Sequence, residues 1–147
     1  MKKKSPLETE PASAPPAGAS ARAKRGRILL LEDDEETRKV LRRLLLARHF
    51  EVTDVGTVAE AWDCVSAGSY HLLLSDIGLP DGDGYRLMRE LQDLHGMKGI
   101  ALTGYGLDDD IALSKEAGFS AHIVKPIRVG LLDEALNSLL PAKAETG

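Results

Sequence analysis

Residues 28–36 read Ile28-Leu29-Leu30-Leu31-Glu32-Asp33-Asp34-Glu35-Glu36, four apolar residues in a row followed at once by five acids. An unbroken apolar run this short suits a strand buried on both faces, as in a parallel sheet, better than a strand with one wet face. The period then changes. Val40, Leu41, Leu44 and Leu45 recur at the spacing of one helix face, with Thr37 and Arg48 extending the stripe. A buried strand, an acidic turn and a helix in succession form the unit on which the rest of the chain is read.

That unit repeats downstream. Phe50 to Val55 reads as a second strand, favoured by its valines and threonine. Thr57 and Glu60 form a capping box before a helix bearing Val58, Ala61, Trp62 and Val65, with Gly68 placed to end it. His71-Leu72-Leu73-Leu74-Ser75 is the third strand, and Asp76 to Gly84 a loop punctuated by glycine and proline before a helix around Tyr85 to Leu94. Gly99 to Leu102 is the fourth strand, Asp108 to Ala117 a short helix ended by Gly118, and Ala121 to Val124 the fifth strand. The last helix buries Leu132, Ala135, Leu136 and Leu139. Five strand–helix units with short links predict an α/β fold, a doubly wound parallel sheet with helices on both faces.

Composition narrows the function classes. The chain has 147 residues, which fits one domain rather than two. One cysteine excludes a disulfide framework and a cysteine-rich zinc module. No apolar run approaches the roughly 18 residues of a membrane span. Met1-Lys2-Lys3-Lys4 has no apolar stretch behind it, unlike a secretory signal, so a cytoplasmic location is expected. Residues 1–26 hold six Lys or Arg against two Glu, whereas residues 27–147 hold 13 against 21 acids. An acidic body is a poor direct partner for nucleic acid, which requires clustered positive charge. Pro6, Pro11, Pro15 and Pro16, interspersed with alanines, mark residues 1–26 as a disordered basic tail or an interdomain linker. The compact domain is expected over residues 27–140, followed by a short C-terminal tail at 141–147.

Open parallel sheets place their sites beyond the carboxyl ends of the strands, where strand order reverses. Glu32 and Asp33 follow the first strand, Asp76 the third, Thr103 the fourth and Lys125 the fifth. In the order 2-1-3-4-5 all five converge on one rim. Three neighbouring carboxylates without compensation are costly, and a divalent cation relieves that cost. Oxygen ligands favour Mg²⁺ or Mn²⁺ over zinc, since no histidine or thiolate cluster accompanies the acids. A phosphoryl group completes such a shell, its remaining charge met by Lys125 and an oxygen by Thr103.

Other polar residues carry plainer readings. Asp34, Glu35 and Glu36 suit a helix start, and Asp81 and Asp83 a glycine-rich turn. Lys98 and Lys115 read as surface charges, and the dispersed His49, His71 and His95 as surface or strand-edge residues. Trp62 reads as core and Cys64 as an inert small side chain. Gly82 and Gly84 serve turns, since no lysine-bearing phosphate loop follows the first strand.

Four segments together resemble the receiver domain of response regulators from two-component and phosphorelay systems. Leu31-Glu32-Asp33-Asp34 is similar to that family's acidic turn, and Leu74-Ser75-Asp76-Ile77-Gly78-Leu79-Pro80-Asp81-Gly82-Asp83-Gly84 to its phosphoacceptor loop. Ala101-Leu102-Thr103-Gly104-Tyr105-Gly106 resembles the hydroxyl-bearing segment, and Val124-Lys125-Pro126 the lysine segment with its cis bond before proline. The resemblance spans residues 27–140 and implies a flavodoxin-like (βα)5 sheet in the order 2-1-3-4-5. It implies that Asp76 accepts a phosphoryl group as an acyl phosphate, with Thr103 and Lys125 bonding phosphoryl oxygens. Glu32, Asp33, Asp76 and the backbone carbonyl of Gly78 would hold Mg²⁺, and Gly104 would leave the phosphoryl group accessible. The donor would be a histidine kinase or a histidine phosphotransfer protein. In the switch, Thr103 moves inward and the residue three before Lys125, aromatic in the best-known receivers, turns in behind it. Here that residue is His122, smaller than Tyr or Phe. The face of the fourth helix, fifth strand and fifth helix, with Asp108, Lys115, His122 and Arg128, would engage a downstream protein or a second copy.

The expected role is thus a phosphoacceptor signalling domain, a stand-alone response regulator rather than a turnover enzyme, with the C-terminal receiver of a hybrid sensor kinase as the alternative. An aspartate-nucleophile phosphatase ranks lower, because Asp33 and Asp34 are each followed two places on by glutamate, so the acidic run contains no D-x-D. A phosphorylation-independent interaction module also ranks lower, given intact metal and phosphoacceptor residues.

Overall fold

Ile28 and Leu30 point to one side of the sheet, Leu29 and Leu31 to the other, and all four are fully buried. That two-sided burial is what an apolar run without alternation requires. The computed structural model describes residues 25–79, 82–104 and 108–140. The expected tails lie outside these residues except for Arg25 and Gly26, which belong to the fold. Strands β1 (Gly26–Leu31), β2 (Phe50–Val55), β3 (Leu72–Asp76), β4 (Lys98–Thr103) and β5 (Ala121–Val124) alternate with helices α1 (Glu35–Ala47), α2 (Val58–Ala67), α3 (Gly84–His95), α4 (Asp108–Ala117) and α5 (Val129–Leu139). The strands are all parallel, in the order β2-β1-β3-β4-β5. Between β3 and α3, Gly78–Leu79 pairs antiparallel with Gly82–Asp83.

The sheet divides two cores. Leu29, Leu31, Leu73 and Ala101 pack under α2, α3 and α4 against Ala61, Val65, Leu87, Met88 and Leu91. Ile28, Leu30, Leu74 and Leu102 pack under α1 and α5 against Leu41, Leu45, Leu132 and Leu136. Burial on this scale, rather than surface ion pairs, holds the domain together. Arg48 adds a two-pronged pairing with Asp133 that ties α1 to α5. Arg25 stacks 4.5 Å over the Phe50 ring and donates to Asn137 Oδ1 at 2.7 Å and the Leu140 carbonyl at 2.9 Å.

Local chemistry sets the element ends. Asp34 caps α1 through the Thr37 amide, and Thr57 caps α2 through the Glu60 amide. Glu60 reaches back to the Gly56 amide at 2.8 Å, one residue ahead of the cap itself. Gly68 ends α2 in extended backbone, not in the left-handed turn common after helices, whereas Gly118 ends α4 at φ 107°. His49, expected at the surface or a strand edge, turns the chain out of α1 at φ 72°. Val40 departs from the expected buried stripe. It is half exposed because it lines an open groove between α1 and the link from β5 to α5.

Candidate functional site

β1 ends by aiming Glu32 inward. The Glu32 amide donates to the Val55 carbonyl at 3.1 Å, carrying the β1–β2 pairing one step past the strand and sending the side chain into full burial. Its Oε2 accepts from the Asp34 amide at 3.0 Å, which closes the acidic turn. Asp33, between them, is exposed. Asp76 and Thr103, expected just beyond β3 and β4, are instead the last residues of those strands, in register with Leu102 and Val124 respectively. Both are buried. Ser75 Oγ donates to the Asp76 carbonyl at 2.8 Å, and the Ile77 amide donates to the Leu102 carbonyl at 3.1 Å, so the chain leaving Asp76 is fixed on both sides. Gly84 permits the close return of α3: a Cβ there would meet the Asp76 carbonyl oxygen at 3.1 Å.

β5 delivers Lys125. Its amide donates to the Thr103 carbonyl at 2.7 Å, and its bond to Pro126 is cis. The ammonium Nζ lies 2.8 Å from Glu32 Oε1 and 3.5 Å from Asp76 Oδ2. Glu32, Asp33 and Asp76 each offer a carboxylate oxygen, and these oxygens lie within 4.8 Å of one another. The structure therefore brings together Glu32, Asp33, Asp76 and Lys125 on the rim where Thr103 also ends. Gly78, two residues after Asp76, lies in the short ladder, paired with Asp83. His122 is half-buried on β5 in register with Ala101, and Gly104 is exposed with open space around it.

The electrostatics show an acid excess. Burial pushes the Glu32 carboxyl above the ordinary carboxylate range, although hydrogen bonds from Lys125 and the Asp34 amide pull the other way, and Asp76 adds to the rise. Burial also favours loss of the Lys125 proton, but the Glu32 hydrogen bond and the Asp76 charge outweigh it and hold Lys125 above the usual lysine value. One ammonium thus leaves the three acids short of positive charge. The donor set is all oxygen, which suits a hard divalent cation. Thr103 Oγ1 is buried and has no hydrogen-bond partner among the described residues. A buried hydroxyl without a partner is costly, and an incoming oxyanion on this rim would accept from it.

Most of the plainer readings hold where the structure describes them, but Gly82 lies in the short ladder and Gly84 opens α3 rather than serving a turn. Asp34 is the α1 cap, Trp62 and Cys64 pack against the core, and Lys115 is exposed. Lys98 is exposed too, and also donates to the Leu139 carbonyl at 3.0 Å. His71 accepts from the Arg27 amide through Nδ1 at 2.9 Å. Asp81 and the side chains of Asp83 and Asp108 lie outside the described residues. Sequence reasoning missed Arg38, whose Nη1 donates to the Glu32 carbonyl at 2.9 Å. Nothing local distinguishes it from the other cations of α1.

Comparison with known proteins agrees with this geometry. The family described as the response regulator receiver domain matches residues 28–137. The polar-differentiation response regulator DivK of Brucella ovis is 30% identical over 116 residues, covering 77% of this chain and 94% of DivK. A CheY-like response regulator receiver domain protein from Methanospirillum hungatei superposes with a TM-score of 0.74 at 31% identity, covering 85% of this chain and 99% of the other. The receiver domain of sensor histidine kinase PA1611 from Pseudomonas aeruginosa has a TM-score of 0.70 at 28% identity, covers 78% and 97%, and carries a magnesium ion in its active-site cleft.

Proposed function

Because the chain belongs to the response regulator receiver domain family, we propose that Asp76 is its phosphoacceptor and that Glu32, Asp33, Asp76 and the Gly78 carbonyl hold Mg²⁺, or Mn²⁺, beside it. The observation that carries this reading is the placement of Lys125 Nζ between Glu32 and Asp76 in a cluster of three carboxylates. A carboxylate oxygen of Asp76 attacks phosphorus while the P–N bond to the donor's imidazole breaks, the leaving ring nitrogen keeps the bonding pair and the ring takes a proton from solvent, leaving an acyl phosphate on Asp76 and a neutral imidazole on the donor. The metal would offset the negative charge shared by the acids and the phosphoryl oxygens. Lys125 pairs with one of those oxygens, and Thr103 donates its hydroxyl to another, gaining the partner it lacks at rest. His122 follows Thr103 as the switch residue.

Receiver domains take their phosphoryl group from histidine kinases and pass their state to downstream targets. For this chain a histidine kinase or histidine phosphotransfer protein is the proposed donor. It would have to cover the rim, and an apolar groove of ≈ 370 Å³ lined by Val40, Leu44, Pro126 and Ile127 adjoins the rim and shares Lys125 with it. The proposed output face is that of α4, β5 and α5, where Leu113, Val124 and Leu131 each stay exposed. We read the chain as a stand-alone response regulator, in line with its match to nearly all of DivK. The match to a sensor kinase receiver supports the hybrid-kinase alternative, and a kinase domain continuous with the upstream reading frame would decide for it. Among the described residues no helix is long and apolar enough to cross a membrane, and a cytoplasmic site of action is proposed.

The domain modifies itself and is not proposed to turn over external phosphate esters. Of the two aspartates weighed for a phosphatase-like spacing, Asp34 is engaged in capping α1. The deciding experiment is Mg²⁺-dependent labelling with a small phosphodonor, read by intact mass. Wild type gains one phosphoryl group and Asp76→Asn gains none; labelling that persists in the variant moves the acceptor elsewhere, and repeated ester turnover favours a phosphatase. His122→Ala keeps the label and weakens output alone, whereas equal loss of both removes His122 from the switch.

A further inference from the structure

We infer that Arg38 is a positioning residue of the metal site, acting through the backbone of the acidic turn rather than by touching metal or phosphate. Its guanidinium bridges two segments. Nη1 donates to the Glu32 carbonyl at 2.9 Å, while Nε lies 3.3 Å from Asp54 Oδ2 near the end of β2. Asp54 is held in turn by Arg42 Nε at 3.1 Å from its other oxygen. Gly56 leaves the guanidinium room, since a Cβ there would stand 2.9 Å from Arg38 Nη1.

The bonded carbonyl matters because of where it lies. The Glu32 carbonyl and the Asp33 amide belong to one planar peptide unit. Fixing that plane limits both the last torsion of Glu32 and the first of Asp33. Glu32 must turn its carboxylate inward to Lys125, and Asp33, which is exposed, must turn its own toward Asp76. Arg38 thus does for the acidic turn what outer partners do for metal ligands generally, which is to hold them in the binding geometry before the ion arrives.

This inference rests on the reading of the acids as a Mg²⁺ site, and the sign of the effect separates it from plain electrostatics. Arg38 is a cation near a cation site, so its charge alone opposes Mg²⁺, and its removal should tighten binding. A positioning role predicts the reverse. Arg42 supplies the control: it shares Asp54 and the same charge, but among the described residues it makes no hydrogen bond or ion pair to the acidic turn.

The experiment titrates Mg²⁺ calorimetrically into the full chain as wild type, Arg38→Ala, Arg38→Lys and Arg42→Ala, alongside amide exchange at Asp33 and Asp34 in metal-free buffer. Arg38→Ala should weaken Mg²⁺ binding about tenfold, the lower range for loss of an outer-shell partner, and speed exchange in the turn. Arg42→Ala should bind Mg²⁺ at least as tightly as wild type and leave exchange in the turn unchanged. Arg38→Lys should fall between, since one ammonium cannot span carbonyl and carboxylate as the guanidinium does. Binding in Arg38→Ala that equals or exceeds wild type, or an equal loss in Arg42→Ala, would overturn the inference. Wild type that takes up no Mg²⁺ would overturn the metal reading and this inference with it, and the exchange data would then report whether Arg38 orders the turn at all.

Discussion

Replacing Lys125 with methionine keeps much of the apolar stem and removes the charge. In the wild type the ammonium stands 2.8 Å from a fully buried Glu32 and 3.5 Å from Asp76. Removing one member of a buried ion pair costs about 3–5 kcal/mol, because the other charge is stranded. Lys125 keeps 27% of its side chain exposed, so water already screens part of the interaction and the loss sits at the low end. The expected destabilisation in EDTA is about 3 kcal/mol, a fall in melting temperature of roughly 10 °C for a domain of this size. Glu32, already held above the ordinary carboxylate range by burial, loses the lowering influence of Lys125 and shifts further up. A carboxyl raised in the folded state contributes stability below its unfolded value of about 4.3, and that contribution is lost as pH rises through the folded value. The deficit should therefore be larger in mildly alkaline than in mildly acidic buffer.

Magnesium supplies the second arm. Without the ammonium, the acids form a more negative site, and an ion bound only to the folded state stabilises by about 2.7 kcal/mol at a hundredfold excess over its Kd. Mg²⁺ should offset much of the loss in Lys125→Met, and should raise the melting temperature of the variant more than that of wild type, where Nζ competes for the same oxygens. Thermal unfolding of both proteins in EDTA and in Mg²⁺ gives the four numbers needed. A variant that melts with wild type in EDTA would mean that Glu32 does not depend on Lys125. Equal Mg²⁺ shifts in the two proteins would mean that the ion binds away from this cluster.

Thr103→Val should leave stability unchanged or raise it by up to about 1 kcal/mol, because the hydroxyl it removes is buried without a partner. Labelling of Asp76 should persist while the phosphoryl-dependent change in β4 and β5 amide shifts is lost; a clear drop in stability would show the hydroxyl bonded at rest. Gly99→Ala would set a Cβ 2.1 Å from Met88 Sδ and 2.9 Å from Phe119 Cδ1. It should lower the urea midpoint by an equivalent of about 1–3 kcal/mol, and an unchanged midpoint would refute the tight approach of α3 to β4. Asp34→Ala should destabilise through the lost α1 cap. Hydrogen bonds from Thr37 hold the Asp34 carboxyl below the usual carboxylate range, so its contribution is present above the ordinary value and lost as pH falls through the lower folded one. The gap between the two melting curves should close in acid, and a constant gap would argue against the cap.

The fold was legible because a parallel sheet covered on both faces leaves uninterrupted apolar runs, and residues 28–31 and 72–74 are indeed fully buried. The site was legible for a related reason: the fold rule gathers strand ends, so Glu32, Asp33, Asp76 and Lys125 could be placed together once the order 2-1-3-4-5, which the resemblance implied, was adopted. What failed depends on contacts between distant segments. Asp76 and Thr103 lie inside their strands because Leu102 and Val124 pair with them, and no local pattern encodes where such pairing stops. Val40 fits the helix stripe but faces a groove whose far wall is the link after β5. Arg38 was invisible because it bonds a backbone carbonyl, which carries no side-chain signature, and a carboxylate 16 residues away.

The charge balance of the rim also explains why this site needs a ligand from outside. A helix N-terminus could have served the phosphoryl group, since α1 begins beside the acids. That end is already taken: Asp34 accepts from the Thr37 amide, and Glu35 and Glu36 fill the first turn. Lys125 is the cation that reaches both Glu32 and Asp76, and burial still drives Glu32 upward despite it. Thr103 adds a hydroxyl unsatisfied among the described residues. Each of these features destabilises the resting state, and each is relieved by an ion or an oxyanion arriving at the rim. Under the proposed switch reading, substitutions that relieve them within the protein, such as Thr103→Val, would therefore keep or raise stability at the expense of the difference between two states, which is what a switch transmits.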